Sequence, residues 1–189
     1  MLLAIQTAAV QELDQRTVIA ASGLRTHALT AFMKTVTFFG TKYFLFPATA
    51  IVTVILFWQK SRYRLVFPLA MLVAWFVMDG LKLLIARPRP DFCPLIPETG
   101  YSFPSGHAFM GALFFGFLAG LLIDRLPSRP GGRPAGKWAI FVLACLFVAL
   151  LGFTRIYLGV HYPTDTLAGY AGGLFFLGLL GIGKDAKRK

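Results

Sequence analysis

Five apolar runs, each close to the length that crosses a bilayer, constrain this chain more than any other feature. They occupy residues 43–58, 65–85, 104–123, 138–157 and 166–182. A spanning helix takes about 20 predominantly apolar residues, with some latitude for flanking side chains that snorkel. The first run is short and contains Pro47. The expected fold is all-α: a polytopic membrane helical bundle with five clear transmembrane spans, room for a sixth, and interfacial helices at the N-terminus.

Composition agrees with a membrane protein. Of 189 residues 57% are hydrophobic and only 14% charged, about half the charged share of a soluble domain. The net charge of +11 raises nucleic acid as a partner. The basic residues fall between the apolar runs, not on one face or arm, so no nucleic-acid binding is expected. Cys93 lies in a loop and Cys145 inside an apolar run, and the two are not expected to meet. Without C-x-x-C or H-E-x-x-H spacing, no metal site is expected either.

The chain reads as one integral-membrane domain over 1–189, with 41–183 as its core and 184–189 as a basic cytoplasmic tail. Residues 1–40 mix charge into apolar positions and predict one or two helices lying at the interface, punctuated by Gly23 and Gly40. The first ten residues are too few to cross, although they are compatible with part of a span. The opening MLLAIQTAAVQELDQ lacks a basic leader region and is too short for a signal peptide.

Orientation follows from the short loops. Segments 59–64, 124–137 and 184–189 hold clusters of Lys and Arg, and five crossings place them on one side. The positive-inside rule makes that side cytoplasmic. The expected location is the cell (inner) membrane, multi-pass, with loop 86–103 and turn 158–164 outside or in the periplasm. Arg87, Arg89 and Arg155 are charges that this rule does not explain.

Three segments supply candidate chemistry at that outer face. In MDGLKLLIARPRP, Asp79 and Lys82 interrupt an apolar helix, where ionisable groups are costly. They either pair with each other at i, i+3 or serve a site. Lys82 and Arg89 are seven residues apart, two helical turns. Pro88 and Pro90 end the helix near Arg87, which points away from Lys82, so Arg89 is the better partner. In YSFPSGHAF, Pro104 and Ser105-Gly106 open a helix whose free N–H groups and positive dipole end suit an anion. Plain helix capping is the alternative use of the same residues. His107 follows, placed to face the same ligand.

In TRIYLGVHYPTDTLAGY, Arg155 ends one run, and His161 and Asp165 stand four apart. A carboxylate accepting one imidazole N–H leaves the other nitrogen free and more basic. Three cations, a helix N-terminus and two histidines together make phosphoryl transfer the economical reading.

These residues are where the chain resembles the type-2 phosphatidic acid phosphatase family of membrane lipid phosphatases. That family's signature is K-x6-R-P, P-S-G-H and S-R-x5-H-x3-D. Lys82 with Arg89-Pro90 matches the first part, Pro104 to His107 the second, and Arg155, His161 and Asp165 the third. Thr154 stands where the family usually has serine. The resemblance implies that His161 is the nucleophile, passing through phosphohistidine, with Asp165 orienting it. It implies that His107 protonates the leaving oxygen. Lys82, Arg89, Arg155, Ser105 and Gly106 would bind the phosphate. No cofactor and no metal are implied, fixed cations standing where many phosphoryl-transfer enzymes use magnesium.

A site at the membrane boundary implies a membrane lipid phosphate as partner, its tail remaining in the bilayer. The resemblance implies phosphatidylglycerophosphate, phosphatidic acid, undecaprenyl pyrophosphate or a lipid A phosphate as substrate, and the short chain and compact loops fit all of them. A phosphotransferase using the same histidine stays open, as does a non-enzymatic anion or lipid-phosphate transporter. Oligomeric state is left open.

Overall fold

The computed structural model describes residues 7–127 and 135–181. Every regular element in them is helical: α1 (Ala8–Ser22), α2 (His27–Phe38), α3 (Lys42–Trp58), α4 (Tyr63–Ile85), α5 (Gly106–Arg125), α6 (Ala135–Tyr157) and α7 (Pro163–Leu179). Each apolar run therefore became a helix, but the count of spans needs correcting. Among the described residues three helices, α4, α5 and α6, are long and apolar enough to cross a membrane. A fourth span results if α2 and α3 are one segment bent by 43°. The shortfall is one of length. Both α3 and α7 have 17 residues, about 26 Å of helix at 1.5 Å per residue against a hydrocarbon core of about 30 Å.

The N-terminal segment forms two helices, and their breaks fall at Gly23 and Gly40 as the punctuation predicts. Thr26 starts α2 by accepting a hydrogen bond from Leu29 N. The basic tail 184–189 and residues 128–134 of loop 124–137 lie outside the described residues.

The bundle is built round α5, buried on most of its circumference between α4, α6 and α7. Phe114 and Phe117 of α5 pack on Phe67 of α4, with the rings of Phe67 and Phe117 stacked 4.0 Å apart. The outer faces are apolar and exposed: Leu65, Leu69, Phe76 and Leu84 on α4, Leu143 and Leu146 on α6. Water would penalise such faces, whereas lipid tails would not.

Helices α5 and α7 start at the same end of the molecule and run side by side. They approach so closely that a Cβ on Gly173 would stand 2.2 Å from the carbonyl oxygen of Phe109. Ser105 N donates to Asp165 O at 3.0 Å, tying the two helix starts together. The C-terminal ends of α4 and α6 reach the same end, so four helix termini surround one site. Helix α1 packs across it, against α6 and α7.

Candidate active site

Helix α4 stops because Ala86 adopts a left-handed conformation (φ 48°, ψ 34°) and Pro88 follows. This turn separates the two arginines. Arg89 faces a cavity of about 450 Å³, which Lys82, Gly106, His107, Arg155 and His161 also line. Arg87 turns the other way, towards α1 and α7. Asp165 and Ser105 are fully buried and lie behind the cavity wall.

His161 is held from both sides. Arg89 Nη1 lies 3.2 Å from its Nε2 and 2.9 Å from Val160 O. A guanidinium can only donate, so Nε2 carries the lone pair and Nδ1 the proton. On that proton's side, Asp165 Oδ2 is 3.6 Å away, beyond hydrogen-bond range. Ser102 Oγ fills the interval: it donates to Asp165 Oδ2 and lies 3.4 Å from His161 Nδ1. Asp165 also accepts from Tyr162 N at 2.9 Å and from Arg87 at 2.7 Å. Burial pushes the His161 imidazole down to about pKa 4, Arg155 and Arg89 push the same way, and Asp165 opposes them. At neutral pH its Nε2 is therefore unprotonated.

Arg155 is 1% exposed. Its Nη1 donates to Thr37 Oγ1 of α2 at 2.9 Å and its Nη2 to Glu98, while its Nε has no partner among the described residues. Glu98 also lies 3.8 Å from Arg89. Burial alone would raise the Glu98 carboxyl, but the charge and hydrogen bond of Arg155, with Arg89 beside it, lower it. Lys82 Nζ donates to Tyr101 O at 2.9 Å rather than pairing with Asp79. His107 packs against the backbone of Gly40, where a Cβ would come within 2.5 Å of its ring. Its Nε2 and the Ser105 hydroxyl are buried with no partner among the described residues. The first backbone bond of α5 runs from Phe109 N to Ser105 O, so the N–H groups of its opening turn remain available.

Six of the eight residues singled out in the sequence thus line one cavity, and the other two back its walls. Sequence reasoning missed Ser102, Glu98, Thr37 and Asp14, and it set Arg87 aside in favour of Arg89 without giving it a role. For Asp14 a signal existed: it shares a helical face with Val18 and Ala21, the buried stripe of α1. Ser102 and Glu98 sit in an irregular loop where no periodicity marks them.

The chain is similar to known proteins in sequence and in fold. A family model described as PAP2 superfamily matches residues 63–187. Phosphatidylglycerophosphatase B of Bacillus subtilis (strain 168) is 35% identical over 188 residues, covering 98% of this chain and 90% of that protein. The undecaprenyl-diphosphatase of Sulfolobus acidocaldarius is 27% identical over 138 residues, covering 70% of this chain and 59% of that one. Among solved structures, a transmembrane PAP2-type phosphatidylglycerolphosphate phosphatase from Bacillus subtilis superposes with a TM-score of 0.88 at 34% identity. That match covers 99% of this chain and 92% of the other.

Proposed function

This chain belongs to the PAP2 superfamily, and from that premise we propose that it is a metal-independent lipid phosphate phosphatase working through phosphohistidine. One observation carries the reading. His161 presents an unprotonated Nε2 to the cavity that Lys82, Arg89 and Arg155 line, with His107 on the same cavity.

The steps follow from those positions. A phosphate entering the cavity meets the three cations and the N–H groups at the start of α5, Gly106 among them, with the Ser105 hydroxyl beside them. Its oxygens take the place of the Glu98 carboxylate on Arg155 and Arg89. His161 Nε2 attacks phosphorus as the ester bond to the lipid oxygen breaks, and His107 gives that oxygen its proton. The ring of His161 becomes positive, and the Ser102–Asp165 side stabilises it. Water then attacks the phosphohistidine and gives its proton to His107, and phosphate leaves. Fixed cations supply the charge neutralisation, so the reading assigns no role to a metal.

A lipid substrate is favoured by the cavity's other wall. Trp75, Met78 and Leu83 of α4 line it beside Tyr43 of α3, giving a tail an apolar path from the headgroup site into the bilayer. The Bacillus subtilis relative that matches nearly the whole chain is named a phosphatidylglycerophosphatase, so phosphatidylglycerophosphate is the first substrate to test. Phosphatidic acid and undecaprenyl pyrophosphate are the alternatives. Purified protein in detergent should release phosphate from at least one of them in EDTA, and His161→Ala should abolish release. Full release by that variant, or a strict need for added magnesium, would overturn the mechanism.

The proposed orientation puts the site at the extracytoplasmic face of the cell membrane. The N-termini of α4 and α6 and the C-terminus of α5 lie at the end opposite the site, and in sequence they adjoin the basic segments 59–64 and 124–137. A cysteine at exposed Pro97 in a Cys93→Ser background should react with an impermeant thiol reagent added to intact cells. Labelling only after lysis would reverse the orientation.

A further inference from the structure

The carboxylate of Asp14 is 1% exposed, in a helix that lies outside the residues matched by the family model. Burying a carboxylate costs several kcal/mol unless it is paired and hydrogen-bonded. Asp14 is both. Its Oδ2 accepts from Arg87 Nη2 at 2.7 Å and from the Thr164 hydroxyl, and its Oδ1 accepts from Thr164 N at 3.1 Å. Thr164 is in the first turn of α7, where backbone N–H groups lack intrahelical partners. Asp14 thus caps α7 from another helix, one residue before Asp165.

Arg87 completes the link. Its Nη1 donates to Asp165 Oδ1 and to Thr164 Oγ1, each at 2.7 Å, and its guanidinium carbon stands 4.2 Å from the centre of the Tyr162 ring. One guanidinium is therefore shared between two buried carboxylates. The three charges sum to one negative charge, and it faces His161 through Asp165 Oδ2. Without Asp14, Arg87 would cancel Asp165 and leave no net charge to stabilise the imidazolium. Without Arg87, two buried like charges would be left with no cation between them.

We propose that Asp14 is a positioning residue for the reaction: it clamps and neutralises Arg87, so that Asp165 keeps the placement and charge that His161 needs. This rests on the reading of His161 as nucleophile. A role confined to gluing α1 onto the bundle would lower stability but leave the chemistry of His161 alone, and that difference is measurable.

The test uses full-length protein in detergent with phosphatidylglycerophosphate, or whichever of the three lipids it hydrolyses. Asp14→Asn should lower kcat about tenfold, the size expected when one partner behind a reacting group is lost, while KM stays nearly constant. The acid limb of its kcat profile should move to lower pH, because the imidazolium loses a negative neighbour. The other charged or titratable groups round the cavity of His161 are Lys42 and Tyr43 of α3, Asp79 and Lys82 of α4, His107 of α5, Arg155 of α6, and Arg89, Glu98 and Tyr101 of the 86–105 loop, with Asp165 of α7 behind it. All are unchanged in the variant, so the shift reports Asp14.

Thr164→Val keeps every charge and removes only the bridging hydroxyl. It should lower kcat about threefold with the acid limb unmoved, and it serves as the deciding arm if Asp14→Asn does not fold. Wild-type kcat in a folded Asp14→Asn, or lost kcat with an unmoved limb, overturns the proposal. So does wild-type kcat in Thr164→Val when Asp14→Asn does not fold. An inactive His161→Ala beside a normal Asp14→Asn removes only the role of Asp14. An active His161→Ala removes the mechanism beneath it.

Discussion

The two histidines of the cavity stand in opposite kinds of surroundings. Behind His161 lies a hydrogen-bonded chain running through Ser102 and Asp165 to Arg87 and Asp14, with Arg89 on the other ring nitrogen. His107 packs on the bare backbone of Gly40 and the Nε2 of its ring has no partner among the described residues. A nucleophile must hold one tautomer and one direction and then bear a positive charge, so it needs a fixed polar backing. A group that gives a proton and takes one back must exchange partners within a turnover, and a permanent partner would hinder it. On the proposed mechanism, each wall suits one of these tasks.

The largest effect should come from the backed histidine. If His161 supplies the attacking atom as proposed, His161→Ala should lower kcat on the order of 10⁴-fold or more. On the same proposal His107→Gln removes the proton donor but leaves the nucleophile and the cations, so a loss of about 10²–10³-fold is expected. The gap between the two should narrow on a substrate with an acidic leaving group, such as a nitrophenyl phosphate ester, because departure then needs no proton. Equal losses on both kinds of substrate would contradict the division of roles.

The same contrast sets a pH dependence. The folded His161 sits at about pKa 4, below the 6.5 of an ordinary histidine. The unfolded chain therefore binds this proton more readily, and stability falls as pH drops from about 6.5 towards 4. The full penalty is about 3 kcal/mol, taking 1.4 kcal/mol per unit. His161→Gln should show a shallower loss of thermal stability between pH 7 and 5 than the parent protein.

Most of the cavity was legible in the sequence because its residues are misfits there. Lys82 inside an apolar helix, Arg89 between two prolines and His161 four before Asp165 each break a local pattern, and each faces the site. The turn at Ala86 also sends Arg87 away from Lys82, as spacing and the prolines require. What the sequence left hidden are contacts between distant segments. Nothing local ties Asp14 to Thr164, 150 residues away, or Thr37 to Arg155, 118 away. The span count failed for a related reason: a run of apolar residues reports composition, whereas α3 and α7 end where their caps and neighbours end them.

The smallest effect belongs to the rim of the cavity. Glu98 holds Arg155 and stands near Arg89, the cations that a phosphate would use. Its side chain is 28% exposed, in a loop with no regular structure, so moving it aside disturbs little packing. A bound phosphate must first displace this carboxylate, and part of its binding energy goes to that exchange. Glu98→Gln keeps the shape and removes the competing charge. KM should then fall about three- to tenfold, since a partly exposed ion pair contributes on the order of 1 kcal/mol. Because the carboxylate is absent from the cations once phosphate is bound, kcat should change little. Inorganic phosphate should also inhibit the variant at lower concentration than the parent. A KM that rises would mean that Glu98 assists binding, and a large fall in kcat would move it from the rim into the chemistry.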